Sequence, residues 1–158
     1  MSRPPDLFRA TAGLAEGEMV EIDPGVVAAL PPDCLLAEFE IVPTHIGRGA
    51  CRAEMAVRRG HLNQRGVAQA GALVAFADAT AGWASYAAVE SGRFTTVELN
   101  CALLRASRAG DRLVAVAAPV HLGRQMLVVE VAISAADTGR AVARFSCTQL
   151  VLDGEGPK

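Results

Sequence analysis

Asp78 stands alone. Across residues 67–89 (VAQAGALVAFADATAGWASYAAV) it is the single formal charge. On a helix, spacings of three, four and seven set it beside Gly71, Val74, Ala75, Ala81, Gly82 and Ser85, nearly all small. Leu73, Phe76, Thr80, Trp83 and Ala87 fall on another, bulkier stripe suited to packing on a sheet. A carboxylate in a groove of small side chains is either capped by a structural partner or presented to a ligand. Burying it unpartnered is costly and no other charge shares its helix, so we read it as functional.

Asn63 lies fifteen residues earlier, in the polar run HLNQRG, and Gln69-Ala70-Gly71 opens the helix. A helix N-terminus offers unpaired N–H groups and partial positive charge, which suits a developing oxyanion. Asn63 adds an amide able to donate or accept. Carboxylate, amide and oxyanion-binding backbone are the parts for adding water to an acyl carbonyl without a Ser or Cys nucleophile.

Those parts need a scaffold. Residues 1–33 read as an irregular arm broken by five prolines, with room for one short helix around Gly25–Leu30. Alternation of apolar and polar residues predicts strands over Cys34–Val42 and Ala50–Arg58, with a turn at Ile46-Gly-Arg-Gly49. Residues 58–66 read as a loop, followed by the long helix over about 68–90, which ends near Ser91-Gly92. Four strand-like segments follow: Phe94–Leu104, Arg112–His121, Gln125–Ser134 and Ala141–Leu152. Arg108-Ala-Gly-Asp111, Leu122-Gly-Arg124 and Ala136-Asp-Thr-Gly139 carry hairpin chemistry, which predicts an antiparallel meander of all four. The expected architecture is α+β: one domain over residues 34–152, with one long central helix wrapped by a curved antiparallel sheet of about six strands. Residues 153–158 are expected to form a disordered tail.

Composition narrows the partners. The 158 residues are 51% hydrophobic and 20% charged, too apolar for disorder and sized for one domain. Fifteen basic residues against 17 acidic leave a net charge of -2, so a nucleic-acid footprint is absent. Cys34, Cys51, Cys101 and Cys147 are widely spaced, and His45, His61 and His121 do not cluster with them. Neither a metal site nor a disulfide framework is therefore expected. MSRPPDLFRA lacks the apolar core of a signal peptide, and Asp78 would cost about 2.5–3.5 kcal/mol at the centre of a bilayer. A cytoplasmic protein with no membrane partner is the expectation.

The pattern His61-Leu-Asn63, Gly66, Gln69-Ala70-Gly71 and then Asp78 resembles that of the hotdog-fold acyl-CoA thioesterases of the phenylacetate-degradation type. Members share H-x-N-x-x-G-x-x-H-G-G with an Asp seven residues after the last Gly. TTVELNCALLRASRAGD (95–111) is similar to the family's second strand block, and the likeness covers about residues 34–152. Here H-G-G is replaced by Gln69-Ala70-Gly71. The resemblance implies hydrolysis of an acyl-CoA thioester, with CoA as part of the substrate and no cofactor. It assigns Asp78 as base or nucleophile, Asn63 as the orienting amide, the Ala70 N–H as oxyanion donor and Thr96 as an assisting hydroxyl. Gln69 and Gly71 would border the substrate, as would His61 if it does more than order its loop. Arg105, Arg108 and Arg124 are candidates for CoA phosphates. The rival reading is a catalytically idle acyl-CoA or acyl-carrier sensor on the same fold.

Helix geometry adds a demand for two chains. Ala70 and Asp78 are about 12 Å apart along the axis and point about 80° apart. A base and an oxyanion donor must both come within roughly 3 Å of one reacting group. Two antiparallel helices of a symmetric pair meet that demand, so a homodimer or a dimer of dimers is expected. The resemblance implies the same, since the family places its sites at this dimer interface.

Overall fold

A computed structural model describes residues 7–15, 17–23 and 31–152. The expected short helix around Gly25–Leu30 and the tail 153–158 lie outside the described residues. In chain order the elements are α1 (Leu7–Thr11), β1 (Val20–Glu21), α2 (Leu35–Glu38), β2 (Val42–Gly47), β3 (Ala50–Ala56), a 3-10 turn (Arg59–His61) and α3 (Ala70–Ala88). Strands β4 (Phe94–Leu103), β5 (Arg112–Leu122), β6 (Met126–Ala135) and β7 (Ala141–Val151) follow.

The expected α+β hotdog architecture is what forms: α3, nineteen residues long, packs on one curved sheet. Leu73, Phe76, Thr80, Trp83 and Ala87 are all buried, as the bulky stripe required. They meet Cys51, Ala53, Met55, Leu113, Ala115, Val129, Val131, Phe145 and Cys147, the inward residues of alternating strands. No helix among the described residues is long and apolar enough to cross a membrane.

Three expectations are corrected. The sheet has seven strands, all antiparallel, in the order β1-β2-β3-β5-β6-β7-β4. The extra strand and α1 both come from the arm, which is therefore not irregular throughout. Thr11 Oγ1 of α1 lies 3.2 Å from the Ala87 carbonyl and ties the arm to α3. Secondly, Cys34–Val42 is not a strand. Leu35-Leu-Ala-Glu38 are strong helix formers placed just after Pro31-Pro32, and they make one helical turn. Glu40 then reverses the chain with φ 50. Thirdly, β4 does not join the meander. Both sides of β5 are taken, by β3 and β6, so residues 104–111 carry the chain across the sheet and β4 pairs with β7. That leaves β4 as an edge strand.

Candidate active site

The loop before α3 is fixed from several directions. His61 is buried, and its Nδ1 accepts the Arg58 N–H at 3.2 Å. Its ring lies 4.7 Å from the ring of Phe39, just beyond α2. Arg58 is tied back to the same region through the Glu40 carboxylate at 2.7 Å and the Glu38 carbonyl. Burial, followed by the charge of Arg58, holds the His61 pKa below the usual histidine value. An Nδ1 that accepts a hydrogen bond also requires the neutral ring, so geometry and electrostatics agree. His61 is thus part of the loop's foundation, with its ring turned away from solvent.

From that base the loop doubles back. Asn63 N–H donates to the Val67 carbonyl at 2.8 Å, and Asn63 Oδ1 accepts the N–H of Arg65 at 2.8 Å. Val67 N–H lies 3.4 Å from the same oxygen. With Oδ1 committed to the backbone, only the Nδ2 donor of Asn63 is left for a ligand. The sequence left donor and acceptor roles open; the loop decides for donor. Ala68 N–H reaches the Ser107 carbonyl and Gln69 N–H the His61 carbonyl, both at 2.8 Å. Gln69 is the N-cap, extended at φ -64 and ψ 141, so Ala70 is the first helical residue. As the first helical residue it has no intrahelical carbonyl for its N–H, and Gln69, Ala70 and Gly71 are all exposed.

Two turns further on, the second part of the site is built differently. Asp78 is half-buried, on a face where Gly71, Val74, Ala75 and Gly82 are also partly or fully exposed. Ala81 and Ser85, expected on that face, are buried instead, and Ser85 Oγ donates to the Ala81 carbonyl. The Thr96 hydroxyl donates to Asp78 Oδ1 at 2.8 Å and lies 3.1 Å from Gln149 Oε1. A β-bulge makes this contact. Thr96 pairs with Gln149 but Glu98 with Thr148, so Val97 is the extra residue and is 56% exposed. The one-residue step turns Thr96 toward the helix, on the face shared by Leu99 and Cys147. Beneath it the Cys147 thiol is pushed up to about 12, by burial first and then by the Asp78 charge. It is a packed, protonated thiol beside a carboxylate, not a nucleophile.

Gln149 is the residue that sequence reasoning missed. It is 0% exposed. Its signal was in the alternation of β7, where Phe145 and Cys147 face inward and residue 149 must follow them. A polar residue at a core parity wants a reason.

The structure thus brings Asp78 and Thr96 together, and separately His61, Asn63, Gln69 and Ala70. It does not gather the arginines. Arg105 Nη1 donates to the Ala141 carbonyl at 2.7 Å and Arg108 is exposed, both before β5 begins. Arg124 lies beyond its other end, an eleven-residue strand or about 35 Å away. One nucleotide cannot span all three within one chain. Among the described residues no group of His, Cys, Asp and Glu has the arrangement of a metal site.

The family model for the thioesterase superfamily matches residues 65–142. No curated protein gives a significant match. Among solved structures, a Gln-to-Ala variant of a thioesterase from Pseudomonas aeruginosa is 26% identical with TM-score 0.75, covering 83% of this chain and 94% of that one. An Asn-to-Asp variant of the phenylacetic acid degradation protein PaaI from Thermus thermophilus is 27% identical, with TM-score 0.68 and coverages of 74% and 97%. A Streptococcus mutans protein solved with acetyl-CoA shares the fold at 23% identity, with TM-score 0.66 and coverages of 73% and 91%.

Proposed function

We propose that this chain, whose family match and structural neighbours are those of PaaI-type hotdog thioesterases, hydrolyses an acyl-CoA thioester to the free acid and CoA. The observation that carries the reading is the carboxylate of Asp78, the one charge on α3, oriented at Oδ1 by Thr96 with no hydrogen bond to Oδ2 among the described residues. A carboxylate held this way is prepared to take a proton. Water attacks the carbonyl carbon as Asp78 Oδ2 accepts its proton. The carbonyl oxygen, now an oxyanion, takes the N–H of Ala70 with Asn63 Nδ2 beside it. The C–S bond then breaks, and the thiolate leaves with the proton held on Asp78. Direct attack by Oδ2, followed by water opening the acyl anhydride, uses the same placement.

Both halves of this site cannot come from one chain, since Ala70 and Asp78 sit about 12 Å apart on α3. The fold supports sharing. Thr96 belongs to β4, whose outer edge has no partner strand among the described residues. Ten residues of unpaired edge, with Val97, Leu103 and Leu104 exposed, favour pairing with a second copy. That copy would arrive beside Asp78. The acyl-CoA class is supported by the fold's capacity, since the Streptococcus mutans neighbour holds acetyl-CoA.

A panel of short aliphatic, aryl and long-chain acyl-CoAs, with released thiol followed by a chromogenic disulfide, tests the reading. Thiol release that requires Asp78 is expected. Tight binding of acyl-CoA with no release from any member of the panel would instead establish the sensor.

A further inference from the structure

The Thr96 hydroxyl has one hydrogen and two acceptors, Asp78 Oδ1 at 2.8 Å and Gln149 Oε1 at 3.1 Å. It can serve only one of them. Meanwhile Gln149 Nε2 is buried without a hydrogen-bond partner among the described residues, an arrangement that costs stability. A half-turn of the amide removes the first fault and lessens the second without moving the chain, because it exchanges oxygen and nitrogen in the same plane. Nε2 then donates to Thr96 Oγ1, and the Thr96 hydrogen is free for Asp78. The group left unpaired becomes a carbonyl oxygen, which tolerates burial better than an orphan N–H.

We propose that Gln149 is a positioning residue: its buried amide donates to Thr96, so that the Thr96 hydroxyl can only donate to Asp78 and the carboxylate is held by one oxygen. The proposal rests on Asp78 being the reacting carboxylate. Gln149 touches no substrate. It acts by removing the alternative in which Thr96 turns its lone pair toward a negative charge. Strand pairing makes the contact durable, since Thr96 and Gln149 face each other across the β4–β7 ladder.

The test uses the full chain as wild type, Gln149→Leu, Thr96→Val and the double variant, each checked for Tm and then assayed on the acyl-CoA panel. Gln149→Leu is expected to lower kcat about tenfold at unchanged KM, and to cost nothing further in the Thr96→Val background. Wild-type kcat in Gln149→Leu, or a loss that adds in full to that of Thr96→Val, overturns the proposal. A second measurement needs neither turnover nor a core substitution. The 15N side-chain amide signals of Gln149 are compared in wild type and Thr96→Val, and one amide proton should move and exchange faster when its acceptor is gone. Unchanged amide signals overturn the proposal even if the wild type hydrolyses thioesters. Shifted signals with no hydrolysis by the wild type uphold the relay and remove only the functional reading.

Discussion

The two halves of the candidate site are held by different kinds of bond. The half that carries the proposed oxyanion donor, residues 61–70, is held largely through main-chain groups: Ala68 to Ser107, Gln69 to His61, Asn63 to Val67, with His61 Nδ1 and Asn63 Oδ1 also accepting backbone N–H groups. The carboxylate half is set by three side chains, Asp78, Thr96 and Gln149, from three elements. A site made from backbone N–H groups is indifferent to most side-chain changes, because every residue but proline supplies the same donor. A site made from side chains has no such latitude. On the proposed roles, this fits where the chain departs from the pattern it resembles. Gln69 and Ala70 replace His and Gly in the backbone-built half, while Asp78 is kept in the other.

Substitutions should therefore hurt according to which kind of bond they remove. The largest loss is expected from Asp78→Asn, which keeps shape and most hydrogen bonding but cannot take a proton. Its rate should fall at least about a hundredfold while Tm holds, as measured by thiol release and thermal melting. Hydrolysis close to wild type would show that the carboxylate half is structural.

At Ala70, by contrast, only a change to the N–H itself should matter, and proline offers a clean way to make one. Proline is favoured at the first helical position, and the extended Gln69 before it suits a following proline. Ala70→Pro should thus fold while losing about 2.7–4 kcal/mol of transition-state stabilisation, read as kcat/KM. Ala70→Gly keeps the donor and should stay within about threefold. Equal activity of the two variants would place the oxyanion donor elsewhere.

The comparison sharpens further if the halves come from different chains. Asp78→Asn and Asn63→Asp chains, each inactive alone, are mixed after chain exchange is confirmed. Half of random dimers are then mixed, each with one intact site of two, so about a quarter of wild-type activity should return. No recovery, or an active monomer, would break the shared-site arrangement.

The sequence exposed these two halves unequally. The helix and its stripe were legible because apolar spacing at 3.6 residues extends from Leu73 to Ala87, and the last three hairpin strands because Gly123 and Gly139 lie in short turns between alternating segments. The meander failed at β4. Turn chemistry at Arg108–Asp111 says that the chain bends but not which neighbour the strand finds, and β3 and β6 occupy both sides of β5. The bulge at Val97 was hidden for a related reason: it exists only as a register step against β7. Thr96 entered through family resemblance, and Gln149 did not enter at all, since its partner lies 53 positions away.

The smallest effect concerns the foundation of the oxyanion half and is read in stability. Folded His61 has a pKa held below its ordinary value, chiefly by burial and then by Arg58. Its Nδ1 must stay unprotonated to accept the Arg58 N–H. Above about pH 6.5 the ring is neutral in folded and unfolded chains alike, and no stability depends on it. As pH falls through that value the unfolded chain binds the proton first. The folded state then loses ground until its own lower pKa is passed. His61→Gln keeps an acceptor near Arg58 but cannot titrate. Between about pH 7.5 and pH 5.5 the wild-type Tm should fall further than that of the variant, by about 2 °C. Since every other titrating group is common to both proteins, the difference isolates His61. Parallel Tm curves would mean that the ring accepts its proton in the folded loop, and that the contact with Arg58 is not what holds the backbone half in place.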